Sequence, residues 1–217
     1  AVDKSSDQIE LSGGYGGTGV NGRGSIIGTL GLTFNNFSMR NILKPGAWSP
    51  LPGGDGQKLS IRAQTSGRFF QSYNLSFSEP WLGGKKPNSL TLWGNHTGLG
   101  NGYLRSNDNY AGLSITGVGI GFGRRKKWPD DWFQAYYELS YQYYDVIDDT
   151  RFGIFSNGHA NDIALKYVLQ RSSVSAPIYP QNGSNIKFTA KSTLPYSYFD
   201  GVDNYDDFSN QQRYKYL

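Results

Sequence analysis

Apolar and polar residues alternate one for one along most of this chain, a period that a helix cannot satisfy and a strand must. Ile9, Leu11, Gly13 and Tyr15 alternate with Glu10, Ser12 and Gly14. Phe133, Ala135, Tyr137, Leu139, Tyr141 and Tyr143 alternate with Gln134, Tyr136, Glu138, Ser140 and Gln142. Ile26–Asn35, Lys58–Gln64, Ser72–Ser78, Ser89–Leu92, Asp162–Gln170 and Asn185–Lys191 read the same way. The segment from Tyr110 to Gly123 breaks the rhythm. Leu113 and Ile115 fit one phase, and Val118, Ile120 and Phe122 fit the other. A bulge near Gly117 is expected to absorb the change.

The pattern gives an all-β chain of about nine strands, several of them long. Soluble strands average roughly 5–6 residues, whereas a tilted strand that crosses a bilayer needs roughly 9–11. The face opposite the apolar one is charged or amide-bearing: Glu10, Arg62, Gln64, Glu138, Lys166, Gln170 and Lys187. Trp48, Trp81, Trp93, Trp128, Trp132 and Phe133 fall near the expected strand ends, where aromatic residues anchor at a headgroup layer. One apolar face and one wet face over this length favour a barrel with lipid outside and water inside. A soluble sandwich with one face on a core is the competing reading.

Composition removes other classes. Among 217 residues there are 29 Gly, no Cys and two His, and the formal net charge is +4. Disulfides, thiol nucleophiles and thiolate metal sites are therefore out. Mean hydropathy is −0.54 and no long apolar run predicts a transmembrane helix. The basic residues are scattered apart from Arg124–Lys127, so no nucleic-acid partner is expected. His96 and His159 read as solvated histidines at strand or loop ends rather than as a triad member or a zinc set. The Asp-rich stretch Asp200–Asp207 lacks the spacing of an EF-hand and reads as a solvated loop. No catalytic residue, no metal and no cofactor is expected, and the chain is not read as an enzyme. The N-terminal Ala1–Lys4 shows no signal peptide, and the Tyr- and Asp-rich tail after Leu194 shows no clear strand. No second domain is visible in residues 1–217. An odd strand count does not suit a single-chain bacterial barrel, so the chain is expected to be the front part of a larger one.

The run Gly13-Gly14-Tyr15-Gly16-Gly17-Thr18-Gly19 has neither the lysine nor the helix of a phosphate loop. Within a strand, Gly13 and Gly14 remove side-chain packing and cost backbone entropy, so the first hairpin is expected to be weakly held.

Three stretches carry a family likeness. Ile9–Gly17 resembles the opening barrel strand of BamA-type proteins of the Omp85 superfamily, in their Bacteroidetes form. Gly31–Ile42 is similar to the next part of that barrel. Tyr73–Leu90 resembles its fourth strand and Glu-Pro-aromatic turn, here Glu79, Pro80 and Trp81. The likeness covers roughly residues 8 to 90, and after residue 100 only the strand pattern supports it. It implies a sixteen-stranded barrel in the outer membrane of a Gram-negative bacterium, preceded by periplasmic POTRA domains. Those domains, the later strands and the family's Arg-Gly-Phe-type loop motif are absent from this sequence.

The resemblance also implies a role: the central subunit of the machinery that folds and inserts other β-barrels. Implied partners are client outer-membrane proteins, accessory lipoproteins and outer-membrane lipid. The implied topology puts Gly16–Gly24, Gly98–Asn109, Asp145–Asn161 and the tail outside. Asn36–Gly56, Glu79–Pro87 and Arg124–Asp131 become periplasmic turns. Ile9, Glu10, Leu11, Ser12, Gly13, Gly14 and Tyr15 would form a lateral-gate edge that templates a client strand through its backbone. A secretion pore or passive channel of the same superfamily suits the polar face equally, and a soluble carbohydrate-binding β-protein would also use exposed Tyr, Trp and Asn.

Overall fold

The computed structural model describes residues 7–16, 25–48, 51–84, 86–174 and 181–194. They form one antiparallel sheet of nine strands in sequence order. The strands are β1 (Gln8–Gly16), β2 (Ser25–Phe37), β3 (Gln57–Ser66), β4 (Phe70–Glu79) and β5 (Asn88–Gly100). They continue with β6 (Gly112–Arg125), β7 (Phe133–Ile147), β8 (Gly158–Ser172) and β9 (Asn185–Thr193). Among the described residues helix is confined to two single turns, Met39–Asn41 and Thr150–Phe152. The tail and the Asp200–Asp207 stretch lie outside the described residues.

The register sorts side chains into two faces. One row reads Ile9, Leu32, Ile61, Leu75, Gly94, Val118, Tyr141, Ile163 from β1 to β8, and a neighbouring row from β2 reads Phe34, Leu59, Phe77, Leu92, Ile120, Leu139, Leu165. Many of these large apolar residues are exposed. A soluble core would cover them, and nothing among the described residues does.

The apolar band does not follow one set of rows. On β1 it runs from Ile9 to Tyr15, on β4 from Tyr73 to Phe77, on β6 from Val118 to Phe122, and on β9 from Ile186 to Ala190. Polar residues of the same face bound it below at Glu79, Asn88, Arg124 and Arg171, and above at Thr65, Gln71, His96 and Thr116. In the shared register the middle of the band slides about nine residues across eight strand spacings, which at ~3.3 Å per residue and ~4.8 Å per strand is a slope of about 38°. Strands of transmembrane barrels tilt by about 35–45°.

Three expectations are corrected. The pairing of β6 with β5 and β7 is continuous from Gly112 to Arg124, so no bulge interrupts it near Gly117. Leu113 and Ile115 change face because a local core awaits them on the polar side. Leu113, Val146, Phe155 and Ala160 form it, with Leu99, Ile115, Tyr144 and Ile154 packed alongside. Trp93 is not at a strand end. It sits within β5 on the polar face, against the glycines of β6. His96 lies within β5 rather than at an end and stacks with Tyr73, whereas His159 is at the start of β8 as expected and stacks with Tyr143, both on the apolar face just above the band.

Candidate functional site: the β1 edge

Among the described residues β1 pairs with β2 alone, from Gln8 opposite Thr33 to Gly16 opposite Ser25. Half of its backbone N–H and C=O groups therefore point away from the sheet. Alternation puts Ile9, Leu11 and Tyr15 on the apolar face, where they are 76%, 81% and 78% exposed. Glu10, Ser12 and Gly14 take the polar face.

Few side chains hold the strand. Glu10 reaches past β2 to β3, where its Oε1 accepts from Arg62 Nη2 at 3.3 Å. Gly31 makes the crossing feasible. A Cβ there would stand 3.2 Å from Glu10 Oε2 and 3.3 Å from its Cβ. Both ends of the pair are about half exposed, so it contributes under about 1 kcal/mol. Below the strand, Asp7 Oδ1 accepts from the Asn35 backbone N–H at 3.1 Å.

Gly13 faces Gly28 across the pair. A Cβ on Gly13 would meet only Ile27 O at 3.9 Å, and one on Gly14 would meet nothing within 4 Å. Among the described residues packing does not require glycine at either position. The β6 glycines are the opposite case, since a Cβ on Gly119 would collide with the Trp93 indole and one on Gly121 with the Tyr136 ring. Gly13 and Gly14 thus lower side-chain packing and strand propensity without a steric reason.

The Glu79–Pro80–Trp81 turn is distant from β1 and belongs to a separate network. Glu79 Oε1 caps the turn by accepting from the Trp81 N–H at 2.8 Å. Its Oε2 accepts from Gln57 Nε2 at 2.7 Å, and Gln57 Oε1 accepts from the Met39 N–H at 2.7 Å. Ser38, fully buried, donates to Asp55 Oδ2 at 2.6 Å. This chain of bonds, with Phe37 edge-on to Phe77 at 6.2 Å, pins the segment after β2 against the turn after β4. Sequence reading missed Ser38 and Gln57, and it placed Arg62 on the polar face without its partner Glu10. A polar residue opening a strand, as Gln57 does, was the only local signal.

At the other end of the sheet the turns carry ion pairs. Arg105 Nη2 donates to Asp145 Oδ2 at 2.6 Å, which raises the guanidinium further above its ordinary value. Asp149 caps the single turn at Thr150–Phe152 by accepting from the Arg151 N–H at 2.9 Å and from Arg151 Nε at 2.8 Å. The Arg151 guanidinium, foremost among its neighbours, holds the Asp149 carboxyl below the usual carboxylate range.

Among the described residues no group of three His, Asp or Glu is placed to hold a metal ion. Among the described residues no helix is long and apolar enough to cross a membrane.

Residues 53–214 match the family model described as the Omp85 superfamily domain. The match begins after β2, so β1 owes its position to the sheet register. The fold is similar to the crystal structure of BamA from Haemophilus ducreyi lacking POTRA domains 1–3, at a TM-score of 0.54 and 17% identity. The alignment covers 88% of this chain and 35% of that one, so the chain spans about a third of that structure. No curated protein matches the sequence.

Proposed function

The chain belongs to the Omp85 superfamily, and from that premise we propose that it is the opening part of an outer-membrane barrel that folds and inserts other β-barrel proteins. The barrel is the central subunit of the assembly machinery, and β1 is its templating edge. Client outer-membrane proteins, accessory lipoproteins and the surrounding lipid are its partners. The work needs no covalent step.

One observation carries the reading: β1 closes the sheet order with two glycines that packing does not require. A strand so held parts readily from whatever lies beyond it. In an apolar medium each unpaired backbone group costs several kcal/mol, so an exposed edge there recruits a partner strand. A client strand can then pair with Ile9–Tyr15 by β-augmentation, through main-chain bonds. Ile9, Leu11 and Tyr15 keep the new seam apolar on the lipid side.

The test uses the lack of native cysteine in this segment. Single cysteines at Glu10, Ser12 and Gly14 are placed in the full-length protein, any others there being removed. Oxidative cross-linking to cysteines in a stalled client's C-terminal strand is then mapped. Register-specific cross-links are expected. Their absence at every register, with the barrel folded and the client present, overturns the insertase reading. The polar face, with Glu138 beside Lys166 at 3.7 Å and Lys191 beside Asp162 at 3.4 Å, then favours a pore of the same superfamily. Ion conductance indifferent to β1 substitutions identifies that case.

A further inference from the structure

The turn after β4 and the turn after β6 enclose a groove of about 920 Å³ at one end of the sheet. Its lining includes Lys86, Arg124, Arg125, Lys126 and Lys127, with Asp131 as the single acid. The register explains the gathering. β5 and β6 separate at Asn88 opposite Arg124, so the residues just beyond both ends are thrown together.

Little among the described residues neutralises this charge. Arg125 Nε donates to the Asp131 carbonyl at 2.7 Å. Asp130 is already taken by Arg171 Nε at 2.8 Å. Lys86, Arg124, Lys126 and Lys127 have no ion-pair partner there.

Position supplies the ligand's chemistry. Arg124 stands on the apolar face, one alternation below Phe122, where the apolar band of β6 ends. Trp128 lines the same groove and is 84% exposed. Trp81 and Trp132, both more than half exposed, sit at the same end of the sheet. Tryptophan beside lysine and arginine at the edge of an apolar belt marks the headgroup layer. Guanidinium and ammonium groups together bind phosphate oxygens through charge-assisted bonds.

We propose that this groove binds the phosphate of an anionic phospholipid, its acyl chains lying along the apolar face from Phe122 toward Ile120. The inference rests on the membrane-barrel reading, and the experiment separates the two. The full-length protein is purified in detergent, and barrel formation is read by heat-dependent migration on a gel. Native mass spectrometry then counts bound phosphatidylglycerol against phosphatidylethanolamine. The comparison is with Arg124→Gln/Lys126→Gln/Lys127→Gln, and with Lys44→Gln/Lys58→Gln/Lys187→Gln as an equal loss of charge elsewhere.

Retention of phosphatidylglycerol by the parent and the control, with a loss of roughly a hundredfold in the groove variant, is expected from the contribution of three cations near an anionic headgroup. Equal retention in parent and groove variant overturns the proposal. Displacement of the lipid by millimolar inorganic phosphate also overturns it, because the groove then reads a free anion. Should the triple variant fail to migrate as a folded barrel, Lys127→Gln alone, in the exposed turn, is expected to show a smaller loss in the same direction. A parent without heat-dependent migration refutes the barrel reading itself.

Discussion

Trp93 occupies the space that any side chain at residue 119 would need. The two positions are opposite each other in the β5–β6 register, and the indole lies over the bare backbone of Gly119. Gly119→Ala is therefore expected to destabilise the barrel by about 1–3 kcal/mol, the usual cost of overpacking. Denaturant unfolding of the full-length protein in detergent measures it. Trp93→Ala in the Gly119→Ala background should recover part of the loss, and strict additivity of the two changes would contradict direct contact.

Gly14→Ala should move stability the other way. With nothing within 4 Å of the new methyl, the strand gains about 0.5–1 kcal/mol from the lost glycine entropy. The functional prediction has the opposite sign. A firmer β1 gives up its seam less readily, so Gly13→Val/Gly14→Val is expected to slow client insertion while the barrel itself stays folded. Insertion into vesicles carrying the purified protein tests this, and an unchanged rate would count against the templating edge.

Glu10→Gln and Arg62→Gln should each cost under about 1 kcal/mol, since the pair is half exposed. High salt should erase most of the difference from the parent. A double-mutant cycle at low and high salt reads the coupling.

Gln57→Leu should be costlier than its size suggests. It removes the link between Glu79 Oε2 and the Met39 N–H, and leaves both short of a partner beside a buried position. About 1–3 kcal/mol is expected, with new protease sensitivity in the segment between β2 and β3. Cleavage confined to other turns would show that the network does not hold that segment.

The turn at Asp149 has a defined acid limit. Its folded-state carboxyl lies below the ordinary value of 3.8, first because of Arg151, so its contribution is complete above that value. The contribution is lost as pH falls through the lowered folded-state value. Proteolysis of residues 148–157 by an acid-tolerant protease should stay constant down to about pH 4 and rise below the carboxylate range. Asp149→Asn should flatten that rise and show higher cleavage at neutral pH.

The strands were legible because alternation is a local property: each residue announces its face by its own polarity. The apparent bulge near Gly117 shows where that stops. Leu113 and Ile115 are apolar on the wet face because Phe155 and Ile154, some forty residues later, return to cover them. No local window contains that fact. The same holds for Trp93, whose partner is an absence of side chain on the next strand, and for Gln57, which joins two turns remote in sequence. The β1 edge was visible as a glycine run, but that packing does not demand those glycines became clear only with the neighbours in place.

The diagonal course of the apolar band makes the sheet a vernier. Each successive strand carries its apolar stretch about one residue further along than the last, as tilted strands under a level belt must. A strand added outside β1 therefore meets two scales at once. Its backbone is indifferent to a slide by two residues, which restores every hydrogen bond. Its side chains are not, because only an offset of about one further step toward the Gly16 end keeps polar groups out of the belt. A lysine or arginine carried to the belt's midplane by a misplaced slide costs about 2–4 kcal/mol. Pairing admits any extended segment; the offset sorts those whose apolar stretch is in phase from those that must let go.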